Sequence, residues 1–171
     1  MITPAYARTM AAYNAEMNKR IYAAAGRLDD AVRRAEGGAF WNSIHGTLNH
    51  LLWADRMWMS RFAGWPAPTA KLKESACLID DFAELSLARQ EADRGLSDWA
   101  AQVDGEWLAM DQRWYSGAAQ REITAPRGFL LAHMFNHQTH HRGQVHAMLT
   151  RAGADPGDTD LFLLVQPPMA D

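Results

Sequence analysis

Apolar residues recur at steps of three and four positions over four long stretches of the chain, which is the period of an amphipathic helix. Recognisable capping residues delimit these stretches. The starts fall at Thr3-Pro4, at Ser43, at Asp80 or Asp81 and near Pro126, and the second and fourth stretches are followed by Gly64, Pro66 and Gly153. Four long helices in 171 residues predict an all-α four-helix bundle that forms a single domain over residues 1–171.

The segments between the four stretches carry weaker patterns. We expect a connector with one short helical turn between Asp29-Asp30 and Gly37-Gly38, a loop over residues 64–78, and a strand pair or an irregular crossover over residues 104–125. The apolar run at positions 161–165, Leu-Phe-Leu-Leu-Val, is expected to dock on the bundle. None of these segments suggests a second domain.

Composition and charge exclude several classes of protein. Seventeen basic and twenty acidic residues give a formal charge of −3, and no basic run is present, which argues against a nucleic-acid partner. No apolar stretch approaches the ~20 residues of a membrane span. A single cysteine, Cys77, excludes an internal disulfide framework. We therefore expect a cytoplasmic protein that binds neither nucleic acid nor membrane.

The chemistry concentrates in histidines of the fourth helix. Five of the seven histidines lie within fourteen residues: His133, His137, His140, His141 and His146. At about 100° per residue, His137 and His141 point toward the apolar face, His133 and His140 lie on its rim, and His146 lies on the far side. Gln144 lies one turn after the pair, in reach of a hydrogen bond to it. The inward pair has two interpretations, a metal site or hydrogen-bonded core histidines.

A third ligand is needed for a catalytic metal, and only His45 and His50 remain. His50 shares a stripe of the second helix with Gly46, Trp53 and Met57, whereas His45 falls on the other side, so we choose His50. Three neutral imidazoles on two helices would bind Zn(II), Ni(II) or Fe(II) and leave open positions. The second and fourth helices must then be neighbours. Four apolar residues should flank the same space: Trp53, Met57, Met134 and Met148.

Two motifs give a family resemblance. The segment Gly46–Asp55, GTLNHLLWAD, and the segment Phe135–Val145, FNHQTHHRGQV, resemble the signatures of the DinB family of metalloenzyme-like proteins. The resemblance implies a four-helix bundle whose three histidine ligands match His50, His137 and His141, often in a homodimer. Relatives include thiol-dependent enzymes such as mycothiol-dependent maleylpyruvate isomerases and bacillithiol transferases.

The resulting functional hypothesis is a metal-dependent enzyme that acts on a small molecule. A divalent ion on three imidazoles can activate water or a low-molecular-weight thiol, so the reaction is a thiol-dependent transfer or isomerisation, or a hydrolysis. The helix reads His137-Gln138, without the glutamate of the HExxH metalloproteases, so peptidase chemistry is disfavoured. The alternative is a non-catalytic metal-binding bundle or stress-related protein in which the ion is structural.

The remaining polar and aromatic residues leave choices open. Asp55 and Arg61 are interpreted as solvated charges on a helix face, although Asp55, Asp111 and Glu122 are also the acids within reach of a pocket. Nothing in the sequence selects a catalytic residue among them. Trp41, Trp58 and Trp65 lie near helix ends, where they either form the contact surface of a homodimer or cap the core of their own chain.

Overall fold

The computed structural model describes residues 2–117 and 119–165, and most of them are helical. The elements, in chain order, are helices α1 (Pro4–Gly26), α2 (Asp30–Arg34) and α3 (Ile44–Phe62), a 3-10 helix (Leu72–Cys77), helices α4 (Phe82–Ala100) and α5 (Gly105–Ala109), strands β1 (Asp111–Ser116) and β2 (Arg121–Pro126), and helices α6 (Arg127–Arg151) and α7 (Leu161–Leu164). No helix in these two ranges combines the length and the apolar character needed to cross a membrane.

The starts of three long helices follow from their caps. The side-chain oxygens of Thr3, Ser43 and Asp81 each accept a hydrogen bond from a backbone N–H in the first turn of α1, α3 and α4. Each cap satisfies one of the four backbone donors that a helix leaves unpaired at its N-terminus. Sequence reasoning predicted all three positions, with Asp81 now preferred over Asp80.

Each of the four long helices packs against two of the others. Helix α1 packs against α4 and α6, and α3 packs against α6 and α4. The buried apolar side chains form two clusters, one around Ile21, Leu48, Leu52, Leu85 and Leu149, the other around Met59, Leu96, Leu131, Met134 and Phe135. The prediction that the second and fourth helices are neighbours is confirmed, because α3 and α6 are in contact.

Residues 104–126 hold the short helix α5 and an antiparallel hairpin. Strands β1 and β2 pair from Asp111 with Pro126 to Ser116 with Arg121, and Trp114 lies opposite Ile123. The structure therefore contains the strand pair, not the irregular crossover. The chain is therefore mostly helical and not all-α as predicted. Exposed and half-buried positions alternate along β1, which is the period of a strand and not of a helix.

Two further expectations need correction. Residues 64–78 include the 3-10 helix, so this segment is more than a loop. In the apolar run at the end of the described residues, Leu164 packs against the core, but Leu161, Phe162 and Leu163 are exposed, Phe162 to 76%. A helix of four residues makes a single turn, and among its four side chains only Leu164 packs against the buried core.

Asp55 is 1% exposed and belongs to a buried ionic cluster, which corrects its interpretation as a solvated charge. Its Oδ2 accepts a hydrogen bond from Arg89 Nη1 at 2.6 Å, and its Oδ1 accepts one from Gln138 Nε2 at 2.6 Å. Arg89 Nη2 also lies 2.7 Å from Asp93 Oδ1. Burial alone would lower the pKa of Arg89, but the carboxylates of Asp93 and Asp55 outweigh it and raise that pKa. The cluster thus joins α3, α4 and α6.

Helix α1 is joined to the same cluster. Asn18 Nδ2 donates to Asp93 Oδ1 at 2.9 Å, and Arg142 of α6 donates to Asn14 Oδ1. Burial lowers the pKa of Arg142 to about 10, so its guanidinium is still charged at neutral pH. All four long helices therefore contribute polar groups to one hydrogen-bonded network in the interior.

Replacing Asp55 with alanine should lower the free energy of unfolding by about 3–5 kcal/mol, because Arg89 is left buried with one carboxylate instead of two and Gln138 loses its acceptor. The matched control is Glu122→Ala, which breaks the exposed ion pair with Arg113 and should cost less than about 1 kcal/mol. Urea denaturation of both variants measures the difference. Equal losses would show that the buried cluster is not a main source of stability.

Candidate metal centre

Three imidazoles meet where α3 and α6 pack together. His50 comes from α3, and His137 and His141 come from successive turns of α6. One ring nitrogen of each lies within 4.8 Å of the other two, and the Nε2 atoms of His50 and His137 are 3.2 Å apart. The structure thus brings together the three histidines that the sequence singled out.

The three imidazoles are held neutral by their surroundings. Burial, followed by the neighbouring imidazoles, lowers the pKa of His50 to about 3 and that of His137 to about 4. Burial also lowers the pKa of His141. Because a histidine binds a metal only as neutral imidazole, no proton has to be displaced from these rings at neutral pH.

Hydrogen bonds to the Nδ1 atoms orient two of the rings. His141 Nδ1–H donates to Gln144 Oε1 at 2.8 Å. The proton of the neutral ring is therefore on Nδ1, and the other ring nitrogen, Nε2, has a free lone pair. His50 Nδ1 lies 2.9 Å from Ser75 Oγ, a buried hydroxyl on the 3-10 helix. Partners of this kind fix the tautomer and the ring orientation of metal-binding histidines. The sequence predicted the Gln144 contact but not the contribution of Ser75.

Side chains on both sides of His50 bind the segment that carries Ser75. Asn49 Oδ1 accepts a hydrogen bond from the Ile79 N–H at 2.7 Å, His45 Nε2 donates to the Ile79 carbonyl at 3.1 Å, and Trp53 Nε1 donates to the Ala70 carbonyl at 2.7 Å. His45 therefore has a structural role on the opposite side of α3. The polar Asn49 on a buried face of the helix was the signal in the sequence for this attachment.

Trp41 covers His50, and Gly46 allows it to do so. The two rings stack with centroids 4.2 Å apart and planes 22° apart. A Cβ added at Gly46 would lie 2.5 Å from the Trp41 carbonyl oxygen, so only glycine lets this loop approach α3 so closely. Trp41, Trp58 and Trp65 each contact aromatic or apolar side chains of their own chain. The alternative, a homodimer surface that includes these rings, stays a prediction.

The other histidines of α6 are outside the cluster. The His133 ring lies edge-on against Trp58, with centroids 5.3 Å apart, and its centroid is 6.1 Å from that of His137. His140 is exposed, and its Nε2 lies 3.2 Å from Gln144 Nε2. His146 is on the far side, where Nε2 donates to the Gly157 carbonyl. These positions agree with the angular prediction.

A cavity of about 480 Å³ opens beside the cluster. His50 and His137 form part of its wall, together with Trp53 and Met57, as expected. Met134 and Met148 do not line it, because each points into one of the two apolar clusters. The three acids considered as candidates are also elsewhere: Asp55 in the buried ionic cluster, Glu122 paired with Arg113, and Asp111 exposed at the start of β1.

The chemistry of the donor set fits a transition metal. All three donors are neutral imidazole nitrogens, which suit Zn(II), Ni(II) and Fe(II) rather than Mg(II) or Ca(II). With three protein donors on one side and a cavity on the other, a tetrahedral or larger coordination shell would have room for a molecule from outside.

Replacing Gly46 with alanine should destabilise the protein by about 1–3 kcal/mol, because the new methyl group collides with a backbone carbonyl. Gly143→Ala is the matched control within α6, where a Cβ meets open space, and it should stabilise the protein by up to about 1 kcal/mol through helix propensity. Thermal unfolding of both variants shows whether each substitution lowers or raises the unfolding temperature. A stabilising effect at both positions would contradict the close approach of Trp41.

The chain is similar to known proteins over almost its whole length. Residues 1–168 match the sequence profile of the DinB family. The chain is also similar to Protein DinB of Bacillus subtilis (strain 168), with 25% identity over 170 residues, which cover 90% of this chain and 91% of that protein. Because this family match extends over nearly the whole chain and includes both helices that carry the clustered histidines, the chain belongs to the DinB family.

Proposed function

We propose that this chain is a metal-dependent enzyme for a small-molecule substrate, with one divalent ion held by His50, His137 and His141. The observation that carries the proposal is the position of the three imidazoles. Two of them, His50 and His137, form part of the wall of an open cavity, so a molecule that fills it lies beside these imidazoles. A purely structural ion has no need of such access.

The reaction classes follow from the donor set and the cavity. A divalent ion on three neutral imidazoles supplies Lewis acidity toward water or a thiol near neutral pH. A thiol-dependent transfer or isomerisation is the first choice, because the resemblance to thiol-dependent relatives supports it, and hydrolysis is the second. Ser75 and Gln144 keep the rings oriented, while Trp41 and Trp53 shield His50 from bulk water.

A second function is favoured by the way the ligands are distributed. They come from two helices, so an ion would cross-link α3 and α6 and stabilise the fold without catalysis. In that case metal removal would lower the unfolding temperature, and no reaction would depend on the metal. Activity measurements therefore separate the two functions, whereas metal binding alone does not.

Metal analysis of protein purified without an affinity tag should give one zinc, nickel or iron ion per chain. Replacing His50, His137 or His141 with alanine should remove most of this metal, because two imidazoles bind such ions far more weakly than three. His146→Ala, a change on the far side of the same helix, should retain it. Full metal content in all three ligand variants would refute the site.

The same proteins then test catalysis. A screen of thiol transfer to electrophiles and of ester hydrolysis should find an activity that metal removal abolishes and metal addition restores. His146→Ala should keep that activity, and the ligand variants should lose it. Metal binding with no metal-dependent turnover in either screen would favour the structural function.

We also propose that the protein is cytoplasmic and forms a homodimer, and that its four long helices form a four-helix bundle within a single domain. The family resemblance supports the dimer, and the pairwise packing of the helices supports the bundle. Light scattering at micromolar concentration should give about twice the chain mass of 19.1 kDa. A value near the single-chain mass would reject the dimer.

A further inference from the structure

Arg61, near the C-terminal end of α3, lines the cavity that contains His50 and His137. Its guanidinium lies over the Trp58 ring at 4.6 Å from the centroid and near the Trp114 ring at 5.6 Å. Among residues 2–117 and 119–165 it has neither a carboxylate partner nor a hydrogen-bond acceptor. Arg61 is thus a cation among aromatic rings, which corrects its interpretation as a solvated surface charge.

The space around Arg61 contains positive charge without negative charge. A second, wider cavity of about 930 Å³ adjoins the first and shares Arg61, Met57 and Leu72 with it. Lys71 and Lys73 lie on the wall of this outer cavity. No aspartate or glutamate is among the described residues that line either one, although the whole chain carries a net charge of −3. An anion entering here meets three cations and no carboxylate.

Partial burial strengthens the attraction of the Arg61 guanidinium for an anion. Desolvation lowers the pKa of Arg61, yet an arginine side chain stays protonated at neutral pH because its reference pKa is above about 12. A half-buried guanidinium without a counter-ion has lost part of its hydration and gains most from a bidentate acid group. Tryptophan rings beside it offer an apolar surface of matching size.

We propose that the substrate is an extended, largely apolar molecule with a carboxylate or similar acid group that binds Arg61, while its reactive group lies at the three histidines. Arg61 is eleven residues after His50 on α3, so its Cα is about 16 Å further along the helix axis. A ligand that contacts both ends is therefore elongated, and its apolar part crosses Trp58, Trp114 and Ile123. The position of the reactive group rests on the proposed function; the acid-binding role of Arg61 does not.

The test is titration calorimetry with 4-phenylbutyrate and its neutral amide, on the protein as purified and again after chelator treatment. The wild-type chain should bind the acid about 10- to 100-fold more tightly than the amide, the range for a charge-assisted hydrogen bond. Arg61→Gln should abolish this preference and leave the affinity for the amide unchanged. Arg61→Lys should retain part of it, because the charge remains.

Arg56→Gln is the matched control, since Arg56 is half-buried on the same helix but does not line either cavity. It should keep the full preference for the acid. A wild-type chain without that preference, or an equal loss in Arg56→Gln and Arg61→Gln, would overturn the proposal. Metal content, measured separately, should be the same in Arg61→Gln and wild type, so a failed metal site and a failed acid site give different results.

Discussion

The ionic cluster around Arg89 is the constraint on which the geometry of the three-histidine cluster depends. A guanidinium that is 2% exposed is strongly destabilising unless carboxylates compensate it, and Asp55 and Asp93 do so from two helices. The two acids can approach Arg89 together only when α3 and α4 are aligned along their lengths to within a few ångströms. Apolar packing alone tolerates sliding far better than a hydrogen-bonded charge does.

The same cluster aligns the two helices that carry the histidines. Asp55 lies five residues after His50, and its second oxygen binds Gln138, the neighbour of His137 in the sequence. A shift of α6 by one turn, about 5.4 Å, would break this bond and would also separate the imidazoles. The buried polar residues thus define the position of the three histidines, whereas the surrounding leucines supply most of the burial energy. The candidate site depends on a network that does not itself line the cavity beside it.

Regular helix geometry made the clustering of His137 and His141 predictable from the sequence. Because α6 is one unbroken helix, rotation by about 100° per residue correctly placed His137 and His141 inward and His146 outward. The identity of the partners across the fold was not predictable in this way. Asp55 was interpreted as solvated because its partner Arg89 is distant in sequence, and Ser75 was missed because a 3-10 helix in a proline-rich segment carries no strong period. Helical periodicity shows which face is buried, but not which polar group on another element meets it.

The two ends of the cavity are built from different kinds of structure. At the histidine end the donors lie on long helices that are aligned by buried charges and covered by Trp41. At the Arg61 end the wall includes Leu72 from the 3-10 helix and Trp114 and Ile123 from the hairpin, and the hairpin makes few contacts with the long helices. Changes in the hairpin can therefore alter the shape of the outer cavity without disturbing the alignment of α3 and α6. The residues that line the Arg61 end are therefore separate from the buried charges that align the three histidines.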